Sequence, residues 1–178
     1  VMILLDGSNL TPSAVVSIMK GEIGVELAES SRSRVDKARK AVDEIVNSGQ
    51  PAYGINTGFG ELVSVAISAE DLSTLQENLV RSHACGMGES MDPLHVLGMM
   101  TIRANSLLVG NSGIKWDTIQ TIASMIQSRI APVVPRIGSL GASGDLAPLS
   151  HMSLGLMGEG MVDVDTGITS MDSEISEL

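Results

Sequence analysis

The stretch Gly138-Ser139-Leu140-Gly141-Ala142-Ser143-Gly144-Asp145-Leu146-Ala147-Pro148-Leu149-Ser150-His151-Met152-Ser153-Leu154-Gly155-Leu156-Met157-Gly158 carries the decisive signal for the fold. After Asp145 it is apolar nearly all round, the pattern of a helix buried on most of its sides. Pro148 is compatible with that helix only in its first turn, where backbone N–H groups lack intrahelical partners anyway. The helix should therefore begin at about Gly144. The seven residues before it are small and turn-prone. Ala142-Ser143-Gly144 admits two readings. One is an ordinary small-residue turn feeding a helix. In the other, the small residues flanking Ser143 let the backbone fold back on itself. The Gly144 nitrogen could then reach the Ala142 carbonyl carbon. Ring closure with loss of water, and a second loss of water from Ser143, would give a five-membered imidazolinone with an exposed methylene. That group is a strong electrophile, and a helix N-terminus beside it favours electron density arriving there.

Outward from this stretch the pattern is mostly helical. Thr11-Pro12 reads as an N-cap followed by proline at the first helical position, opening a helix to about Lys20. Residues 21–27 suit a strand or a turn. Ser31 to Asn47 is amphipathic, with Val35, Ala38, Val42, Ile45 and Val46 on one face, closed by Gly49 and barred from continuing by Pro51. Pro51, Gly54, Gly58 and Gly60 make residues 51–60 a loop. Ser68 with Asp71 looks like a capping box for a helix to about Ala84. Asp92-Pro93 opens another to about Val109. A further helix over 116–130 ends before Pro132 and Pro135. Residues 161–169 can pair as a short hairpin, and Ser170–Leu178 has the start of one more helix. The expected fold is mainly α, with few short strands and a glycine-rich loop ahead of the buried helix.

Composition narrows the function classes. Hydrophobic residues make up 43% of the 178, enough for a sizeable core, but aromatics only 2%. Leu, Ile, Val, Ala and the 11 methionines must build that core, which favours helix packing over a β-sandwich. A formal charge of −10 argues against nucleic acid and anionic membrane as partners. The one basic run, Arg32, Arg34, Lys37, Arg39 and Lys40, lies on a predicted helix near Asp36 and Asp43 and reads as a solvated face. No apolar run is long enough to cross a bilayer. The opening Val1–Asp6 is too short and too soon charged for a signal peptide. The single cysteine, Cys85, cannot form an intrachain disulfide and suits a cytoplasmic protein. Cys85 and His83 have no companions at metal-ligand spacing, so no metal site is expected.

Four segments carry a family resemblance. The string Gly138 to His151 resembles the signature of the aromatic amino-acid lyases. Tyr53-Gly54-Ile55-Asn56-Thr57-Gly58-Phe59-Gly60, Gln76 to Gly86 and Arg103 to Gly110 are similar to that family in order and spacing, as is the opening from Leu5 to Thr11. The likeness spans most of the chain. It implies that Ala142, Ser143 and Gly144 cyclise on their own into 4-methylidene-imidazol-5-one, with Asp145 in support and no diffusible cofactor or metal. It implies that residues 1–178 form the N-terminal, electrophile-bearing domain of a longer ammonia-lyase, stopping short of its C-terminal part. It also implies a homotetramer whose sites draw on several subunits.

Tyr53, the lone tyrosine, would ordinarily be a packing residue, and a phenol needs nearby positive charge or hydrogen-bond donors to act as a base. The resemblance makes it the group that takes the substrate's β-proton. The surrounding glycines do not form a nucleotide-binding loop, because neither G-x-G-x-x-G nor a following Lys-Ser/Thr is present. His83, near a predicted helix C-terminus, could simply cap carbonyls. By resemblance the Ser82-His83 pair holds the position that sets selectivity. The histidine lyases carry Ser-His there, whereas phenylalanine and tyrosine lyases carry Phe-Leu or His-Leu. The expected reaction is deamination of L-histidine to trans-urocanate. The alternatives are a phenylalanine or tyrosine lyase or aminomutase, or a non-catalytic fragment. His151 is expected to be hydrogen-bonded and structural, and His95 exposed.

Overall fold

The computed structural model describes residues 1–57, 67, 69–142, 144–164 and 167–171, with the side chains of residues 69 and 70 excepted. Expectations for Gly58, Phe59, Gly60, Ser68, Ser143 and the final helical segment fall outside the described residues. The elements are β1 (Met2–Leu5), α1 (Pro12–Met19), β2 (Gly24–Leu27), α2 (Arg32–Ser48), α3 (Ala69–His83), β3 (Met87–Ser90), α4 (Pro93–Leu107), α5 (Trp116–Gln127), β4 (Ala131–Pro132), β5 (Pro135–Ile137), α6 (Leu146–Leu156), β6 (Met161–Val164) and β7 (Gly167–Ser170). Helices dominate, and the strands are two to four residues long.

The helix boundaries follow their local chemistry. Thr11 caps α1, its hydroxyl accepting from the Ala14 N–H at 3.3 Å, and Pro12 follows in the first turn. The Asp92 carboxylate does the same for α4, accepting from the Leu94 N–H at 2.8 Å. α2 ends at Gly49, whose φ of 68° is the left-handed cap that glycine adopts without strain.

The core lies between α4 and α5. Val96, Leu97, Met100, Ala104 and Leu107 recur at helical spacing on α4, and Ile119, Ile122, Met125 and Ile126 on α5; all are buried. Thr101 is buried among them and is satisfied by donating to the Leu97 carbonyl at 2.8 Å. α1 crosses α4 at Gly98, where a Cβ would meet the Met19 sulfur at 2.8 Å. β1 and β2, joined through α1, pair in parallel, with Leu5 opposite Leu27. β6 and β7 form the expected hairpin, and β4 joins its edge through β6.

Two expectations are corrected. The helix over Asp145–Gly158 is not buried all round in this chain. Ala147, Met152 and Gly155 are covered by α3, α5 and β4, while Leu146 is half exposed. The described residues cover its apolar circumference only in part. The basic run is also not a uniformly solvated face. Arg32, Arg39 and Lys40 do pair with Asp36, Asp43 and Glu44 along the surface. Arg34 instead donates to the Leu108 carbonyl at 2.6 Å and to the Asp6 carbonyl, tying α2 to the end of α4 and to β1.

Candidate active site

β5 delivers the chain into the loop at Gly138, and the loop ends at Asp145, the residue before α6. The Ser139 hydroxyl donates to the Asp145 carboxylate across the loop's base. Ala142 and Gly144 are exposed, and Ser143 between them is outside the described residues. Gly144 has φ of 100°, a conformation that side-chain-bearing residues rarely adopt. Nothing lies within 4 Å of where a Cβ on Gly144 would project. Two small residues, one of them a glycine in the left-handed region with open space on its Cβ side, leave room for a five-membered ring at this loop.

His83 is the last residue of α3. Its Nδ1 lies 2.8 Å from the Leu79 carbonyl, which can only accept, so Nδ1 carries the proton. The Ser82 hydroxyl donates to the same carbonyl at 2.9 Å and sits 3.1 Å from Nδ1. In the neutral ring Nε2 is then an acceptor.

Tertiary contacts bring this helix end to the loop. β3, which follows His83 closely, pairs antiparallel with β5, placing Met87 opposite Ile137 and Ser90 opposite Pro135. A Cβ on Gly138 would meet the Gly86 Cα at 3.1 Å and the Ala147 Cβ at 3.2 Å. The Gly86 N–H donates to His151 Nε2 at 3.0 Å. Burial pushes the His151 imidazole below its ordinary range, toward the neutral form that this bond requires. At the other end of α6, Arg81 grips both carboxylate oxygens of Glu159 and also contacts Glu77 and Asn78. Sequence reasoning missed this strap. Its only signal was an arginine two residues before His83.

Tyr53 stands elsewhere. It lies on a turn pinned by buried Asn56, whose side chain accepts from the Ala52 N–H at 2.8 Å and donates to the Gln50 carbonyl at 2.9 Å. Gly54 and Ile55 line a cleft with Val42, Leu72 and Gln76, so this turn sits over the first half of α3. Gln76 is seven residues before His83, on the order of 10 Å along the helix. Through Gly86, the segment that follows Ser82 and His83 meets the loop's base at Gly138 and bonds to His151 on α6. The Tyr53 turn packs over the first half of α3, and Tyr53 itself is 66% exposed. Among the described residues no group of three or more His, Cys, Asp or Glu side chains could hold a metal ion. No described helix is long and apolar enough to cross a membrane.

A helical scaffold that carries an Ala-Ser-Gly loop onto a helix N-terminus matches the aromatic amino acid lyase profile over residues 10–177, and the chain belongs to that family. Within the family, it is 46% identical over 158 residues to a histidine ammonia-lyase of Alkaliphilus oremlandii, covering 89% of this chain and 31% of that one. Among solved structures, histidine ammonia-lyase from Trypanosoma cruzi superposes with a TM-score of 0.88 at 34% identity, over 99% of this chain and 34% of its own. The ergothioneine-degrading enzyme ergothionase from Treponema denticola reaches a TM-score of 0.95 at 26% identity, over 99% of this chain and 35% of its own. The chain spans about a third of the length of the curated relatives it matches.

Proposed function

We propose that these residues supply the electrophile and the ring-binding contact of a histidine ammonia-lyase, which removes ammonia from L-histidine and releases trans-urocanate. The observation that supports this reading is the Ser82-His83 pair at the end of α3, just ahead of a Gly86 that packs against Gly138 at the base of the Ala142–Gly144 loop. Ala142, Ser143 and Gly144 would hold the methylidene-imidazolone, which when formed supplies an electrophile that makes the substrate's amine a leaving group. His83 accepts the substrate's imidazole N–H through Nε2, with Ser82 and the Leu79 carbonyl fixing the tautomer. A phenylalanine or tyrosine side chain has no N–H to offer that nitrogen, which weighs against the corresponding lyases and aminomutases. Asp145 holds the loop closed through Ser139.

Tyr53 takes the β-proton. Its turn packs over the first half of α3, and the complete site is assembled between subunits of a homotetramer. The protein works in the cytoplasm without metal or diffusible cofactor. The test is incubation of the full-length protein with L-histidine, L-phenylalanine and L-tyrosine. Urocanate absorbance from histidine, with little cinnamate or coumarate, is the expected result. Preference for either aromatic substrate, or no turnover of any, overturns the reading.

A further inference from the structure

We infer that His151 is a positioning residue: by accepting the Gly86 N–H through Nε2, it sets the spacing between the His83 end of α3 and the loop of Ala142 and Gly144. The inference rests on the histidine-lyase reading and adds a residue to it.

The geometry singles out this bond. Gly86 lies three residues after His83, and His151 lies seven after Gly144. One hydrogen bond of 3.0 Å, spanning 65 residues of sequence, therefore ties the two functional segments to each other. The approach is tight on every side. A Cβ on Gly86 would come within 3.0 Å of His151 Nε2 and 3.1 Å of the Pro135 Cβ, and a Cβ on Gly138 within 3.1 Å of the Gly86 Cα. Backbone packed this closely at Gly86 and Gly138 fixes the base of the loop, where a small shift is carried to its tip. The β3–β5 pairing holds the same segments but shifts register between Met87 and Ser90, so the ladder alone leaves their spacing open. The acceptor must be an uncharged ring nitrogen, and burial favours that form.

A residue that only satisfies a partly buried N–H would affect the amount of folded protein. A positioning residue changes what each folded site does, because misplacement by about 1 Å can cost on the order of 100-fold in rate. Two variants of the full-length enzyme separate these roles. His151→Leu removes the acceptor at similar volume. His151→Gln keeps an acceptor oxygen near the position of Nε2.

Activity is normalised to sites that have formed the electrophile, counted by intact mass as chains lighter by two waters. Per such site, His151→Leu should lose about 10- to 100-fold in kcat/KM for L-histidine, and His151→Gln should recover to within a few-fold of wild type. The Gly86 amide should exchange slowly in wild type and His151→Gln, and fast in His151→Leu. Wild-type kcat/KM per site in His151→Leu overturns the inference, as does equal loss in both variants. If the wild-type protein does not turn over L-histidine while Gly86 exchange still follows the acceptor, the substrate assignment fails and the tie itself stands.

Discussion

With Nδ1–H of His83 committed to the Leu79 carbonyl, the side of the ring offered to a ligand is an acceptor. A site built to hydrogen-bond a substrate group rejects analogues lacking it by ~10⁴ or more. Replacing Ser82→Phe together with His83→Leu in the full-length protein should therefore lower histidine turnover far more than phenylalanine turnover. Steady-state kinetics on both substrates read this, and an unchanged preference for histidine would place selectivity elsewhere. At Ser143 the expectation is sharper. Ser143→Ala leaves no hydroxyl to eliminate, so turnover should vanish while circular dichroism and melting stay at wild type. The variant's mass should also lack the loss of the second water. Near-normal activity would remove Ser143 from the electrophile.

Elements are held to one another here by a few backbone-directed side chains. Arg34 joins α2 to the Leu108 carbonyl, and Gly110 follows at φ of 81° with no room beside it. A Cβ there would lie 2.8 Å from the Arg34 carbonyl carbon and 2.9 Å from its oxygen. Gly110→Ala should cost ~1–3 kcal/mol from the backbone conformation alone, and more from the backbone clash. A denaturation midpoint equal to wild type would contradict that. α3 and the turn after α6 are joined by Arg81 and Glu159. Hydrogen bonding to Arg81 holds the Glu159 carboxyl below its ordinary range, as bonds from Ser8 do for Asp6. Carboxyls depressed in the folded state add stability above their unfolded pKa, and that stability is lost as pH falls through the lowered folded value. Melting temperature should therefore fall on acidification below about pH 4. Glu159→Gln should flatten part of that fall. Identical pH profiles for variant and wild type would mean the strap adds nothing to stability.

Taken whole, the molecule has one well-covered core between α4 and α5 and a second apolar helix, α6, that the described residues cover only in part. Nothing lies within 4 Å of where a Cβ on Gly144 would project. Cyclisation costs strain that a packed surround must supply. The isolated 178-residue chain should then retain an uncyclised Ala142-Ser143-Gly144 and make no urocanate. An intact mass two waters below the sequence mass would refute the first expectation, and urocanate from the purified chain the second.

Most helices were legible in the residues themselves, because caps and periodicity act within one or two turns. Thr11-Pro12, Asp92-Pro93 and Gly49 mark their boundaries locally. The family string from Gly138 to His151 and the Ser82-His83 pair were legible for the same reason, being contiguous. β1, β3 and β5 were not foreseen. Strands of three or four residues have too little pattern to stand out, and their pairing partners lie far along the chain. The inward turn of Arg34, the Arg81–Glu159 strap and the Gly86–His151 bond were equally invisible, since each joins residues separated by 65 or more positions. Which residues could carry the chemistry was thus written in local sequence. That Gly86, just after His83, meets the loop's base at Gly138 while the Tyr53 turn packs over the first half of α3 was decided only by tertiary packing, because hydrogen bonds and close backbone contacts act through space and not along the chain.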